Sequence, residues 1–259
     1  MGLLDTDSIA YAIGCTLEQA GGKVIYTAQN ERMRRIFLDR DDRLTAQAGD
    51  ALDVRYCDVT AEAQVQALFD GIGPLAGIVH SIAYANPKTC LGQEFHTTAH
   101  EDLKNSFEIS CISLATVCRH AAPHLAPGGS VVALSFDTRH VYPYYNWMGV
   151  QKAALEALVR ALARRHGRDE MTVNTISAGP IHTTAASRIP GFGGLSSVWQ
   201  AMCPLPWDPS TDRQAVAHAA AFLLGPLARK ITGQVLYVDG GASVMGGPLL
   251  DFERPGGPR

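Results

Sequence analysis

The chain has 259 residues, of which 46% are hydrophobic and 18% charged, with a formal net charge of −3. That size suits one open α/β unit around a large core, so a single domain is expected over residues 1–247, with a tail at 248–259. The charge balance gives no basic footprint for nucleic acid, no apolar run approaches the roughly 20 residues that span a bilayer, and the start lacks a basic-then-apolar leader.

Six cysteines (Cys15, Cys57, Cys90, Cys111, Cys118 and Cys203) are scattered without a CxxC pair. They read as reduced, mostly buried thiols, which points to the cytoplasm. The nine histidines show no ligand spacing, and no metal is expected.

In chain order, a helix is expected from residue 9 to residue 20, opened by Thr6, Asp7 and Ser8 and stopped by Gly21 and Gly22. A strand at 23–27 and a polar helical stretch follow, then a strand at 53–57, a helix at 61–69 and a strand at 77–80. Next come a helix near 102–120, a strand at 130–134, a long helix at about 145–166, and strands at 172–176 and 234–238. Short β-rich runs alternating with helical segments predict a doubly wound, Rossmann-type parallel sheet. In such a fold the first strand lies centrally and feeds a Gly-rich turn into the first helix. Here Met1 and Gly2 stand where that turn belongs, so the first strand is expected to be missing. A start assigned about a dozen residues too late is the simplest account of the gap, and an inactive chain with open sheet edges is the other.

The segment from Ser135 to Lys152 carries most of the chemistry. If a helix begins near Tyr145, Lys152 lies about two turns on and projects from nearly the same face. A phenol can donate to a substrate oxygen as negative charge develops there, and an ammonium can hold ribose hydroxyls. On spacing alone, an amphipathic aromatic and a solvated lysine are the commoner explanation.

Tyr145-Asn146-Trp147-Met148-Gly149-Val150-Gln151-Lys152 resembles the Tyr-x6-Lys signature of the enoyl-acyl-carrier-protein reductases, within the short-chain dehydrogenase/reductase superfamily. The commoner Tyr-x3-Lys members carry a serine about a dozen residues upstream, where this chain has Val132-Ala133. That weakens the rival reading as a ketone reductase. Phe136-Asp137 and Asn146-Trp147-Met148 look like the mycobacterial-type subgroup that acts on longer acyl chains.

The resemblance runs from Gly2 to about Gly241 and implies the remaining roles. Gly2, Ser8 and Ile9 are similar to the family's phosphate loop. Asp58 and Val59 would meet adenine, and Ser81, Ile82 and Ala83 would let backbone approach the cofactor. Pro180, Ile181 and Thr183 would face the nicotinamide and pyrophosphate. Gln29 stands where NADH-using members have a glutamine. Arg32, Arg34 and Arg35 keep NADPH open as an alternative, although they also read as a solvated helix face.

Catalysis would fall to Tyr145, Lys152 and Phe136, the last shaping the wall beside the double bond. Tyr84, Met148, Ile189, Trp199 and Met202 would line the acyl site, most of them on a substrate-binding loop at about 184–209. Each of these could also be ordinary packing. The implied activity is NADH-dependent reduction of trans-2-enoyl thioesters of acyl carrier protein or CoA in fatty-acid synthesis, by a homotetramer. Arg160, Arg164, Arg165 and Arg168 could dock an acidic carrier, but cations also suit a helix C-terminus.

Overall fold

The computed structural model describes residues 1–41 and 52–250. Its strands are β1 (Tyr26–Ala28), β2 (Val54–Tyr56), β3 (Leu75–His80), β4 (Leu125–Ser135), β5 (Thr172–Ala178) and β6 (Val235–Val238). The helices are α1 (Ile9–Gln19), α2 (Glu31–Phe37), α3 (Glu62–Asp70), α4 (His100–Phe107), α5 (Ser113–Ala121), α6 (Asn146–His166), α7 (Phe192–Met202) and α8 (Arg213–Leu224). The expected alternation of strands and helices is present, with boundaries shifted by a few residues. Where one helix was expected near 102–120, a π-turn at Glu108–Ile112 separates α4 from α5.

Every pairing among the described residues is parallel, with Val79 opposite Val132, Val132 opposite Asn174, and Ile176 opposite Leu236. Successive side chains on a strand point to opposite faces, and both faces of this sheet are covered. Val131 and Ala133 of β4 therefore join a core layer with Val65, Phe69, Leu114, Leu155 and Val173. Val132 and Leu134 join the other, with Ile13, Ile176, Trp199 and Leu223.

The sheet comes in two pieces, β1-β2 and β3-β4-β5-β6, and β1 does not pair with β3. Residues Met1 to Leu3 bridge the gap at the C-terminal ends of the two strands. The Gly2 and Leu3 amides donate to the Thr27 carbonyl at 3.2 and 2.9 Å, and the Ser81 amide donates to the Met1 carbonyl at 3.1 Å. The Met1 ammonium donates to the Val79 carbonyl at 2.6 Å, and burial lowers its pKa to about 6. Gly2 is required there: its φ is +90°, and a Cβ would run into the Ser81 carbonyl.

The expected tail needs correction at its start. The Leu249 amide donates to the Ala201 carbonyl at 2.8 Å, and the Leu249 side chain is buried. Residues 251–259 lie outside the described residues.

Candidate active site

The site is assembled where β4 ends and α6 begins. Phe136 follows the last residue of β4, and Tyr145, where the helix was expected to begin, is the N-cap of α6, one residue before its first residue Asn146. Their ring centroids are 4.6 Å apart. Lys152 lies two turns along α6, nearly buried, and its ammonium donates to the Leu134 carbonyl at 2.7 Å. The predicted pair thus flanks the end of β4.

Burial sets the protonation of both groups. It raises the pKa of Tyr145, which stays a neutral donor near pH 7. It lowers that of Lys152 to about 8, partly opposed by Cys111 and Glu156.

The connection from β4 to α6 is held by two carboxylates, Asp137, which the sequence marked only through the Phe136-Asp137 resemblance, and Glu156, which it did not mark. Asp137 Oδ2 accepts from Tyr142 Oη at 2.8 Å and lies 2.7 Å from His140 Nδ1, while Oδ1 accepts the Arg139 amide at 3.1 Å. Burial alone would raise the Asp137 pKa, but these hydrogen bonds outweigh it and hold the pKa below the ordinary carboxylate range. Glu156, on α6, accepts from the hydroxyls of Ser135 and Thr138 at 2.7 and 2.8 Å. Buried carboxylates demand such donors, so the turn cannot shift without leaving them unsatisfied. Tyr144, next to Tyr145, has φ +65°, and its ring packs over the backbone of Gly191, where any Cβ would clash.

On the far side, α7 closes over the aromatic wall. The Trp199 ring lies 5.1 Å from Phe136 and 5.2 Å from Tyr142, and its Nε1 donates to the Asp239 carbonyl at 3.0 Å. Met202 packs at the edge of the same cluster. Ile189, half-buried, Met148, buried, and Tyr84, exposed, are not part of it. The Tyr84 backbone is instead tied to Ser110 Oγ, which accepts its amide and donates to its carbonyl, both at 2.9 Å.

The expected dinucleotide residues lie along the C-terminal ends of the strands. Ser8 caps α1, its Oγ accepting the Tyr11 amide at 3.3 Å, so the first-turn amides of Ile9 and Ala10 have no acceptor within the helix. Gln29 Nε2 donates to Asp58 Oδ2 at 3.0 Å, which brings together two residues 29 apart in sequence. Val59, next to Asp58, is buried, whereas Ala83 is exposed and Ser81 and Ile82 are half-buried beneath Gly2. The Pro180 carbonyl accepts from Trp207 Nε1 at 2.8 Å, Ile181 is buried, and Thr183 Oγ1 accepts the Ala186 amide at 3.0 Å.

His80, just before Ser81, turns its side chain into the core rather than toward this cleft. Its Nε2 lies 2.9 Å from Ser113 Oγ, and its Nδ1 has no partner. Burial, with Lys152 and the Met1 ammonium nearby, lowers its pKa to about 3.

The strand order, the phosphate-type loop and the tyrosine-lysine helix define a reductase fold of the short-chain dehydrogenase/reductase class. Residues 2–243 match the family model described as enoyl-(acyl carrier protein) reductase, and the chain belongs to that family. It is 35% identical to the NADH-named enoyl-[acyl-carrier-protein] reductase FabI of Bacillus subtilis, with 93% of each chain covered. It is 34% identical to the one from Escherichia coli K12, covering 92% of this chain and 90% of the other. A crystal structure of the Bacillus cereus enoyl-acyl carrier protein reductase, with NADP+ and an indole naphthyridinone, superposes with a TM-score of 0.85. The two share 35% identity, and the match covers 95% of each chain.

Proposed function

We propose that this chain reduces the carbon–carbon double bond of trans-2-enoyl thioesters in fatty-acid synthesis, with NADH as the reductant and acyl carrier protein or CoA carrying the acyl group. Membership of the enoyl reductase family, with Phe136 and Tyr145 in contact at the end of β4, is what carries this reading.

The donor set suits a dinucleotide. The first-turn amides of α1, with the Thr183 hydroxyl, would hold the diphosphate, and Ser8, whose hydroxyl donates to the Asp5 carbonyl at 2.6 Å while capping the helix, would aim those amides. The Asp58 carboxylate, already paired with Gln29, would accept from the adenine amine. Gly2 lets the loop close onto Ser81 and Ile82, where any Cβ would clash, and so would bring both backbone segments to the cofactor together. Ala83, Val59, Pro180 and Ile181 would supply backbone and apolar contacts. Gln29 favours a free ribose 2′-hydroxyl, hence NADH over NADPH.

When bound, the nicotinamide supplies hydride to the β-carbon of the enoyl group. Tyr145, kept protonated by burial, donates a hydrogen bond to the thioester oxygen as enolate charge develops there. Lys152 holds the ribose hydroxyls from the same helix face and adds positive potential. Phe136, without a hydroxyl, shapes the wall beside the double bond. Trp199 and Met202, with Ile189, Met148 and Tyr84 further out, would cover the acyl chain. A proton taken from solvent would then add to the α-carbon as the enolate collapses back to the thioester carbonyl, which completes the reduction.

Among the described residues no helix is long and apolar enough to cross a membrane, and a cytoplasmic homotetramer is the form proposed. The test is NADH consumption with a trans-2-enoyl thioester, set beside the matching 3-ketoacyl thioester. Oxidation of NADH with the enoyl compound alone supports the assignment. Turnover of the ketone alone would replace it with a ketone reductase.

A further inference from the structure

The loop expected to meet the diphosphate is rich in carboxylates. Asp5 is buried and its Oδ1 accepts the Asp7 amide at 3.1 Å, while Asp41 Oδ2 accepts the Thr6 amide at 3.2 Å. Asp7 directly precedes Ser8, the cap of α1. An ionised carboxylate there would repel a diphosphate bound at the first-turn amides.

Asp7 is met by a residue 206 positions away. Arg213, the first residue of α8, places Nη1 at 3.0 Å from Asp7 Oδ1 and 3.4 Å from the Asp7 carbonyl. The ion pair is partly buried, so solvent screens it only in part. Both residues line one cavity of about 370 Å³ together with His182, Thr183 and Ser210. That cavity is therefore lined by both a proposed phosphate donor, Thr183, and the Asp7 carboxylate.

The geometry points to Arg213 as the residue that makes this loop compatible with a diphosphate: by neutralising Asp7 it sets the affinity for the dinucleotide. The inference rests on the dinucleotide-dependent reading above and goes beyond it by assigning a residue that no motif marks. A simple brace between α8 and the loop would behave differently, because removing either partner would break the same bond.

The test is equilibrium binding of NADH, followed by fluorescence without any acyl substrate, to the full chain and four variants. Arg213→Gln should weaken binding roughly tenfold, because it removes the guanidinium charge that offsets the Asp7 carboxylate beside the diphosphate. Arg213→Lys should stay near the parent value, which guards against a folding artefact. Asp7→Asn alone should bind at least as well as the parent chain. The double variant Asp7→Asn/Arg213→Gln should regain most of the loss, and the Arg213→Gln deficit should shrink as salt is raised. If Arg213→Gln binds NADH like the parent, or the double variant stays as weak as Arg213→Gln, the inference is overturned while the dinucleotide reading stands. If the parent chain binds no NADH, both fall together.

Discussion

The Phe136 and Tyr145 rings meet at 4.6 Å, inclined by 50°, because one side chain leaves the end of β4 and the other stands at the first turn of α6. Tyr145→Phe keeps that contact and removes only the hydroxyl. The expected result is a fall in kcat of roughly 10²-fold or more, the usual cost of losing a donor to a developing oxyanion, with NADH binding unchanged. Steady-state kinetics with an enoyl thioester check it, and full activity in the variant would remove Tyr145 from the chemistry.

Lys152 should make cofactor binding sensitive to pH. Its pKa is lowered to about 8 by burial, so the ammonium is lost as pH rises through that value. NADH affinity in the parent chain is expected to weaken above about pH 8, and Lys152→Arg, which stays charged, should flatten that limb. Binding titrations between pH 6.5 and 9.5 measure it. An identical profile in both proteins would mean that the lysine charge plays no part.

His80 predicts an acid-sensitive fold. Its pKa is about 3 in the folded chain against an ordinary 6.5, so between those values the unfolded state binds one more proton. Stability from this group is complete above pH 6.5 and is lost as pH falls toward 3, at about 1.4 kcal/mol per pH unit at most. Denaturant unfolding at pH 7, 6 and 5, compared with His80→Asn, isolates it: the variant should be less stable at pH 7 yet lose stability less steeply. Parallel slopes would show that His80 does not titrate between the two states.

Trp199 should matter for stability as well as for the acyl site. It is 1% exposed, packs on two aromatic rings and bonds the Asp239 carbonyl. Trp199→Ala is expected to cost about 3–5 kcal/mol, and Trp199→Phe, which keeps a ring but drops the bond, about 1 kcal/mol. Thermal and denaturant unfolding give both numbers. A nearly neutral Trp199→Ala would mean that α7 is not fastened in solution as it is here.

Local patterns in the sequence reach some of these features and not others. The span of α6 and the facing of Tyr145 and Lys152 follow from helical period alone, and the strands follow from short β-branched runs between helices. The backbone bonds of Met1, Gly2 and Leu3 between β1 and β3 do not, since main-chain groups leave no side-chain signature. Nor does the π-turn, because apolar spacing continues through Glu108–Ile112 as it would in an α-helix. Glu156 and Arg213 read as ordinary polar positions, and Asp137 stands out only through the Phe136-Asp137 resemblance. Their importance comes from partners brought near by the fold, 206 residues away for Arg213 and Asp7.

The divided sheet puts the two ends of the proposed cofactor on different pieces of the fold. Gln29 and Asp58 follow β1 and β2, whereas Tyr145, Lys152 and Ile181 hang on the four strands from β3 to β6. Among the described residues, main-chain bonding between those pieces amounts to a short clasp at Met1–Leu3. A dinucleotide that spans the cleft would tie them together, and its binding free energy would add to folding as the logarithm of its concentration over Kd. Amide exchange in β1 and β2 is then expected to slow more than exchange in β4 and β5 as NADH is added. In this chain the reductant would be a structural fastener as well as a reagent.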